Sequence, residues 1–150
     1  MIHLLAPVPA VHIPSARQTL IAHGMVAFGS NAFEVLNPLQ GKEVTVWIAA
    51  SATDAPPSGV ATVEIGRVVM RARLREIVAA NRRGRHPNDA LRPATTLNDS
   101  EFHYGLFWEV EAAQDLHPGI PVVGLRTAKG VRLEALPLGP ILIRDPELSQ

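Results

Sequence analysis

The chain has 150 residues, of which 47% are hydrophobic and 19% charged, and its formal net charge is zero. That is enough for one core built without staples, and too apolar for a disordered chain. No cysteine occurs, which excludes disulfides, thiolate metal sites and a cysteine nucleophile. Met1 to Pro7 have no basic stretch before their apolar run, unlike a signal peptide, and no 18-residue apolar segment occurs anywhere in the chain. The sequence therefore reads as a single cytoplasmic domain over residues 1–150.

The first element in chain order is a helix. Ser15-Ala16-Arg17-Gln18 has the form of a capping box, in which Ser caps an amide and Gln reaches back. Leu20 and Ile21 supply an apolar side and Gly24 a stop, which predicts a helix over 15–23. A strand over 25–28 and a turn over 37–42 follow. The next strand, 43–50, places Val44, Val46, Ile48 and Ala50 on one face and Trp47 on the other, with Glu43 and Thr45. Residues 54–59 read as an exposed loop.

Ala61, Val63 and Ile65 then alternate on odd positions, and Val68, Met70, Ala72 and Leu74 on even ones. A β-bulge at Gly66 would absorb this phase slip, giving one long bent strand whose other face carries Arg67, Arg71, Arg73 and Arg75. Met70, Leu74, Ile77 and Val78 also fit a helical stripe, so strand is expected to about Arg73 and helix to about Asn81. Residues 82–98 read as a long loop, headed by Arg82-Arg83-Gly84-Arg85-His86-Pro87. In a strand over 102–112, Phe102, Tyr104, Leu106, Trp108, Val110 and Ala112 share one face; His103, Phe107, Glu109 and Glu111 share the other. A turn at 116–119 and short strands near 121–125, 131–136 and 141–144 complete the chain. With 13 Pro and 11 Gly as punctuation, the pattern predicts a fold that is mainly β with α. About seven strands and one to three helices are expected, the antiparallel strands closing into a barrel or sandwich.

Charge is unevenly distributed. Eight Arg lie between Arg67 and Arg92 against Glu76 and Asp89, whereas Pro93 to Leu125 hold five acids and no Lys or Arg. The basic block suits phosphate; equally, it can face the acidic block, with the strand arginines pairing across to Glu109 and Glu111. Trp47 and Phe107, on polar faces, are candidates for stacking a base, while Tyr104 and Trp108 fall on the apolar stripe expected in the core. Six His occur without the His-x-x-x-His spacing. There is also no nucleophile elbow and no phosphate-binding loop, so neither a metal nor a cofactor is expected.

Several strings fall in a recognisable order. A capped helix ends at Gly24, a turn at Gly41-Lys42 leads into Val44-Thr45-Val46-Trp47-Ile48-Ala49, and a long strand is entered through a small-residue loop. Phe107-Trp108-Glu109-Val110-Glu111 and Ile120-Pro121-Val122-Val123-Gly124-Leu125-Arg126 come last. This order resembles the PUA-like superfamily, and within it the ASCH and EVE groups, over residues 12–136. The resemblance implies a small mixed pseudo-β-barrel with a cleft beside the first helix that binds RNA, or a base or nucleoside, often a modified one. Some ASCH members resemble hydrolases that remove an acyl group from a modified cytidine, with the motif Gly-x-Lys-x-x-Glu-x-Arg. Counted from Gly24, its Lys, Glu and Arg positions hold Val26, Gly29 and Asn31.

The first reading is therefore a module that binds RNA or DNA, or a single modified base. Arg71, Arg73, Arg82 and Arg83 would hold phosphates, Trp47 and Phe107 would stack, and Ser30 and Asn31, beside Phe28 at the cleft, would read the base. A small hydrolase acting on a modified nucleoside, with Glu109 or His103 as base, is the second reading. The third is a protein-interaction domain whose Arg and Glu faces are internal ladders.

Overall fold

A computed structural model describes residues 1–52, 64–98 and 103–147. Its strands are β1 (Ile2–Pro9), β2 (Met25–Ser30), β3 (Val44–Ser51), β4 (Arg67–Ala79), β5 (Leu106–Pro121) and β6 (Ile141–Ile143), and its helices α1 (Ile13–His23) and α2 (Phe33–Leu36). The strands form one mixed sheet in the order β2-β5-β4-β3-β1-β6. β1 and β3 run parallel, and the other neighbours are antiparallel. The fold is thus mainly β with α, as composition and alternation indicate, with six strands among the described residues. The sheet is not closed into a barrel: β2 and β6 are its edges. No helix among the described residues is long and apolar enough to cross a membrane.

β1 has no counterpart in the sequence reading, because Pro7 and Pro9 look like strand breakers. It pairs with β3 along its whole length but with β6 only from His3 to Leu5. Both prolines fall beyond the β6 pairing, where β1 is an edge strand and a missing amide is tolerated. α1 starts before the expected capping box. Pro14 occupies its first turn, where it fits, and His12 is the N-cap residue. The Ser15 Oγ instead accepts from the Thr95 amide at 3.2 Å, tying the helix to the 82–98 segment. Gly24 ends the helix as expected, left-handed at φ 74° with its N–H on the Leu20 carbonyl.

The helix expected over 74–81 is replaced by strand. β4 lies between β3 and β5 and remains paired to β5 as far as Ala79, so tertiary pairing overrides the local stripe. Ala61, Val63 and the 54–59 loop lie outside the described residues. Gly66 is not a bulge within the strand but a turn residue at φ 81° that enters it. The register irregularities fall instead further along, at Val68/Met70, Arg71/Arg73 and Leu74/Glu76. β5 starts at Leu106 rather than 102 (Phe102 is not described) and runs through the expected 116–119 turn, because it remains paired to β4 as far as Arg67↔Pro121. Of the three strands expected after it, only β6 forms; residues 126–132 make just the isolated bridges Arg126↔Arg132 and Thr127↔Ile143.

Both faces of the sheet carry buried clusters. On one, Leu4, Val46, Ile48, Met70, Trp108 and Val110 pack with Ile13 and Ala16 of α1. On the other, Leu5, Trp47, Ala49 and Val68 lie beneath Val122, Leu125 and Ile143. The C-terminal segment therefore covers the face of β3 that Glu43 and Thr45 suggest is solvated.

Candidate functional site

The arginines of β4 form a ladder. The Arg73 Nη2 is 3.2 Å from Glu111 Oε1, and the Arg75 Nη1 is 2.7 Å from Glu109 Oε1. Arg71 donates to Gln114 at 3.0 Å and to Glu147 at 3.2 Å, and its guanidinium lies 5.8 Å from the centre of the Trp47 ring. Arg73 and Arg75 thus make the cross-strand pairs with Glu111 and Glu109 of the alternative reading, whereas Arg71, also expected to hold phosphate, is engaged by Gln114 and Glu147 instead.

Trp47 and Phe107 need correction. They are 1% and 0% exposed, so neither ring offers a face to a base. The C-terminal segment covers Trp47. The 82–98 segment covers Phe107, placing the His86 ring edge-on at 5.2 Å and the Arg92 guanidinium 4.8 Å above it.

A cavity of about 330 Å³ opens where the C-terminal ends of β1 and β2 meet near the start of α1. Ala6 to Pro9 and His12 line one side, Phe28 to Ala32 another; Arg92, Thr96, Tyr104, Trp108 and Leu138 to Pro140 complete it. Phe28, Ser30 and Asn31 fall in one cavity, but it lies by the N-cap residue His12 and is lined by no residue of α1, so it does not run beside the first helix. Phe28 and Trp108, 5% and 3% exposed, stack on each other with centroids 4.5 Å apart and planes at 29°, forming an apolar floor that belongs to the core. Tyr104 lies against Gly29: a Cβ there would come within 2.4 Å of the tyrosine ring, so only glycine admits it.

Asn31 positions this tyrosine. Its Nδ2 donates to the His103 carbonyl at 3.3 Å, and its Oδ1 accepts from the Gly105 amide at 2.7 Å. Both ends of the amide thus clamp the loop that carries Tyr104. The Ser30 Oγ accepts from the Ala32 amide at 3.0 Å, which leaves its own proton available to a ligand. Arg92, 4% exposed, donates from Nε to the Ala27 carbonyl at 3.1 Å, and its guanidinium lies 5.7 Å from the Tyr104 ring centre, within cation–π range. The His12 Nδ1 is 2.8 Å from Thr95 Oγ1.

Arg82 and Arg83 sit on a turn built by Asn81, whose Oδ1 accepts from the amides of Arg83 and Arg85 at 2.9 and 3.1 Å. The turn is joined to the Tyr104 loop: the Tyr104 amide donates to the Gly84 carbonyl at 3.2 Å, and the His103 Nδ1 contacts the Arg83 carbonyl at 2.9 Å. Arg82 and Arg83 are exposed, and neither has a carboxylate within ion-pair distance among the described residues. Neither lines the cavity; their turn is joined by its backbone to the loop of Tyr104, which does.

Glu109 shares a strand face with exposed residues in the sequence, yet it is 3% exposed. Its Oε2 is 2.7 Å from the His86 Nε2, and its Oε1 takes Arg75. The Asn88 amide donates to the His86 Nδ1 at 2.9 Å. Neither Glu109 nor His103 is among the cavity-lining residues. Among the described residues, no group of three His, Asp or Glu is placed to hold a metal.

Sequence reasoning missed Tyr104 and Arg92 as site residues. The alternation that assigns Tyr104 to a core stripe ends at Leu106, where β5 begins, and nothing periodic marks Arg92 within its loop. No protein-family model matches the chain, and no curated protein matches it either.

Proposed function

We propose that the chain is a PUA-like, ASCH- or EVE-type binding module that takes a single base, as part of a nucleotide or nucleic-acid strand, in the cavity between β1 and β2. The observation that carries this reading is the half-buried Tyr104 ring, seated on Gly29 at the cavity wall, with the buried Phe28–Trp108 pair as apolar floor. A volume of about 330 Å³ lies at the lower end of the range for small-ligand pockets, ~300–1,000 Å³, and suits one planar ring. Ring stacking is worth ~1–3 kcal/mol per base. It helps offset the few kcal/mol that unstacking a base costs. In this reading the Ser30 hydroxyl reads a base edge, and Arg82 and Arg83, on the turn joined to the Tyr104 loop, meet the attached phosphate.

Binding is favoured over hydrolysis by what fills the motif positions. Val26 is fully buried in the core. Gly29 makes room for Tyr104, and Asn31 is the clamp on the tyrosine loop. None of the three supplies an acid or a base, and Glu109 is held by His86 and Arg75.

Calorimetric titration with the common nucleosides and nucleoside monophosphates tests this. Saturable binding is expected, about tenfold weaker or more in Tyr104→Ala. The Arg82→Ala/Arg83→Ala variant is expected to weaken monophosphates and leave nucleosides unchanged. Absence of binding at millimolar ligand, or equal affinity in Tyr104→Ala, would overturn the proposal.

A further inference from the structure

A second set of cations lies outside the arginine-rich region discussed so far. Between residues 126 and 144 the chain carries Arg126, Lys129, Arg132 and Arg144 against a single acid, Glu134. All four cations are exposed. None has a carboxylate within ion-pair distance among the described residues, whereas Arg17, Arg67, Arg71, Arg73 and Arg75 all do.

The fold concentrates these charges. Arg126 and Arg132 face each other across an antiparallel bridge, an arrangement that is destabilising for like charges. The Arg144 amide donates to the Arg126 carbonyl at 2.9 Å. Its guanidinium lies over Gly130, where an added Cβ would come within 2.7 Å of Nη2. Lys129 tips the same turn. Arg126 and Arg144 also line an open cavity of about 700 Å³ at the start of β1. The carboxylate on its wall, Asp145, is engaged by His3 at 3.8 Å.

The position of this patch relative to the base cavity indicates its partner. Pro140 lines the base cavity and Arg144 the basic one, and β6 is the extended segment between them. The four-residue step from Pro140 to Arg144 spans about 13 Å of extended chain. Two groups of cations without acidic partners among the described residues are therefore connected to the base cavity through its lining: the Arg82–Arg83 turn through the Tyr104 loop, and the 126–144 surface through β6.

We infer that the partner is a single-stranded nucleic acid rather than a free nucleotide, and that the strand leaves the base cavity along β6 with its phosphates on Arg126, Arg132 and Arg144. This inference rests on the base-binding reading for its direction along β6. Phosphate contacts of this kind position a strand without reading its sequence, which leaves selectivity to the base in the cavity.

The test compares labelled single-stranded oligonucleotides with a nucleoside monophosphate, using the full chain and an Arg126→Ala/Arg132→Ala/Arg144→Ala variant. Fluorescence anisotropy over a salt series is expected to show oligonucleotide binding at least about tenfold weaker in the variant. The slope of log affinity against log salt should become shallower by about two, at roughly 0.7 per phosphate contact for single strands. Monophosphate affinity should not change, and an unchanged thermal melt confirms folding. If the variant binds the oligonucleotide with the same affinity and slope, the inference fails even where the monophosphate still binds. Oligonucleotide binding that depends on these arginines, with no monophosphate binding, would support the phosphate surface and overturn the base cavity. Binding to anionic lipid vesicles in place of the oligonucleotide would overturn the inference.

Discussion

The arginines of β4 sit in the middle of the sheet and those of the 126–144 surface beside its β6 edge, and their surroundings differ. β4 is a central strand, so the register with β5 brings Arg73 opposite Glu111, and Arg75 reaches Glu109 at 2.7 Å. The 126–132 turn lies beside β6 at the edge of the sheet, where Arg126 lies opposite Arg132 across its bridge and its Nη1 donates to the Gly130 carbonyl at 3.0 Å, with no carboxylate in reach among the described residues. Strand order therefore decides which cations are consumed internally and which remain for a partner. The density of arginine along the chain does not. The block at 67–92 is the richest in arginine, yet most of its strand arginines are spent within the fold.

The sharpest way to break the comparison is to remove the carboxylate that anchors the ladder. Glu109→Ala leaves His86 buried without its partner and Arg75 without its closest one. It should cost about 3 kcal/mol or more of stability in urea denaturation. Gly29→Ala comes next. The added methyl would collide with Tyr104, so the tyrosine loop must move, and nucleotide affinity should fall about tenfold with a smaller loss of stability. A double-mutant cycle on Arg73 and Glu111, an exposed pair at 3.2 Å, should return a coupling of only ~0.2–1 kcal/mol and no change in nucleotide binding. Least of all should change in Arg82→Ala, whose melting temperature is expected to match that of the parent while its affinity for nucleoside monophosphates falls.

Period-two alternation makes β3, β4 and the Leu106 to Val110 part of β5 legible in the sequence, because each lines a buried face. It cannot say what covers the opposite face. Trp47, Phe107 and Glu109 sit on the sides that look polar, and each is buried by a segment without periodicity: residues 122–143 over Trp47, and residues 82–98 over Phe107 and Glu109. β1 is hidden by two prolines that edge pairing tolerates, and the end of β4 by a stripe that fits a helix equally well. In the candidate site, Phe28, Ser30 and Asn31 follow from their place after the first helix. Tyr104 arrives from a loop seventy-five residues from Gly29 in sequence, and only the missing Cβ of that glycine records the contact.

The two tryptophans offer the most direct test of base binding in the cavity. Trp108 lines the cavity, whereas Trp47 is packed on the opposite side of the sheet with its indole nitrogen donating to His3 at 3.1 Å. In a ¹⁵N-resolved NMR titration with nucleoside monophosphates, the Trp108 indole resonance should move saturably, together with the Gly29 and Tyr104 amides, while the Trp47 indole stays in place. An unmoved Trp108 indole at millimolar nucleotide, or a shift confined to Trp47, would contradict a base held against Tyr104 over the Phe28–Trp108 pair.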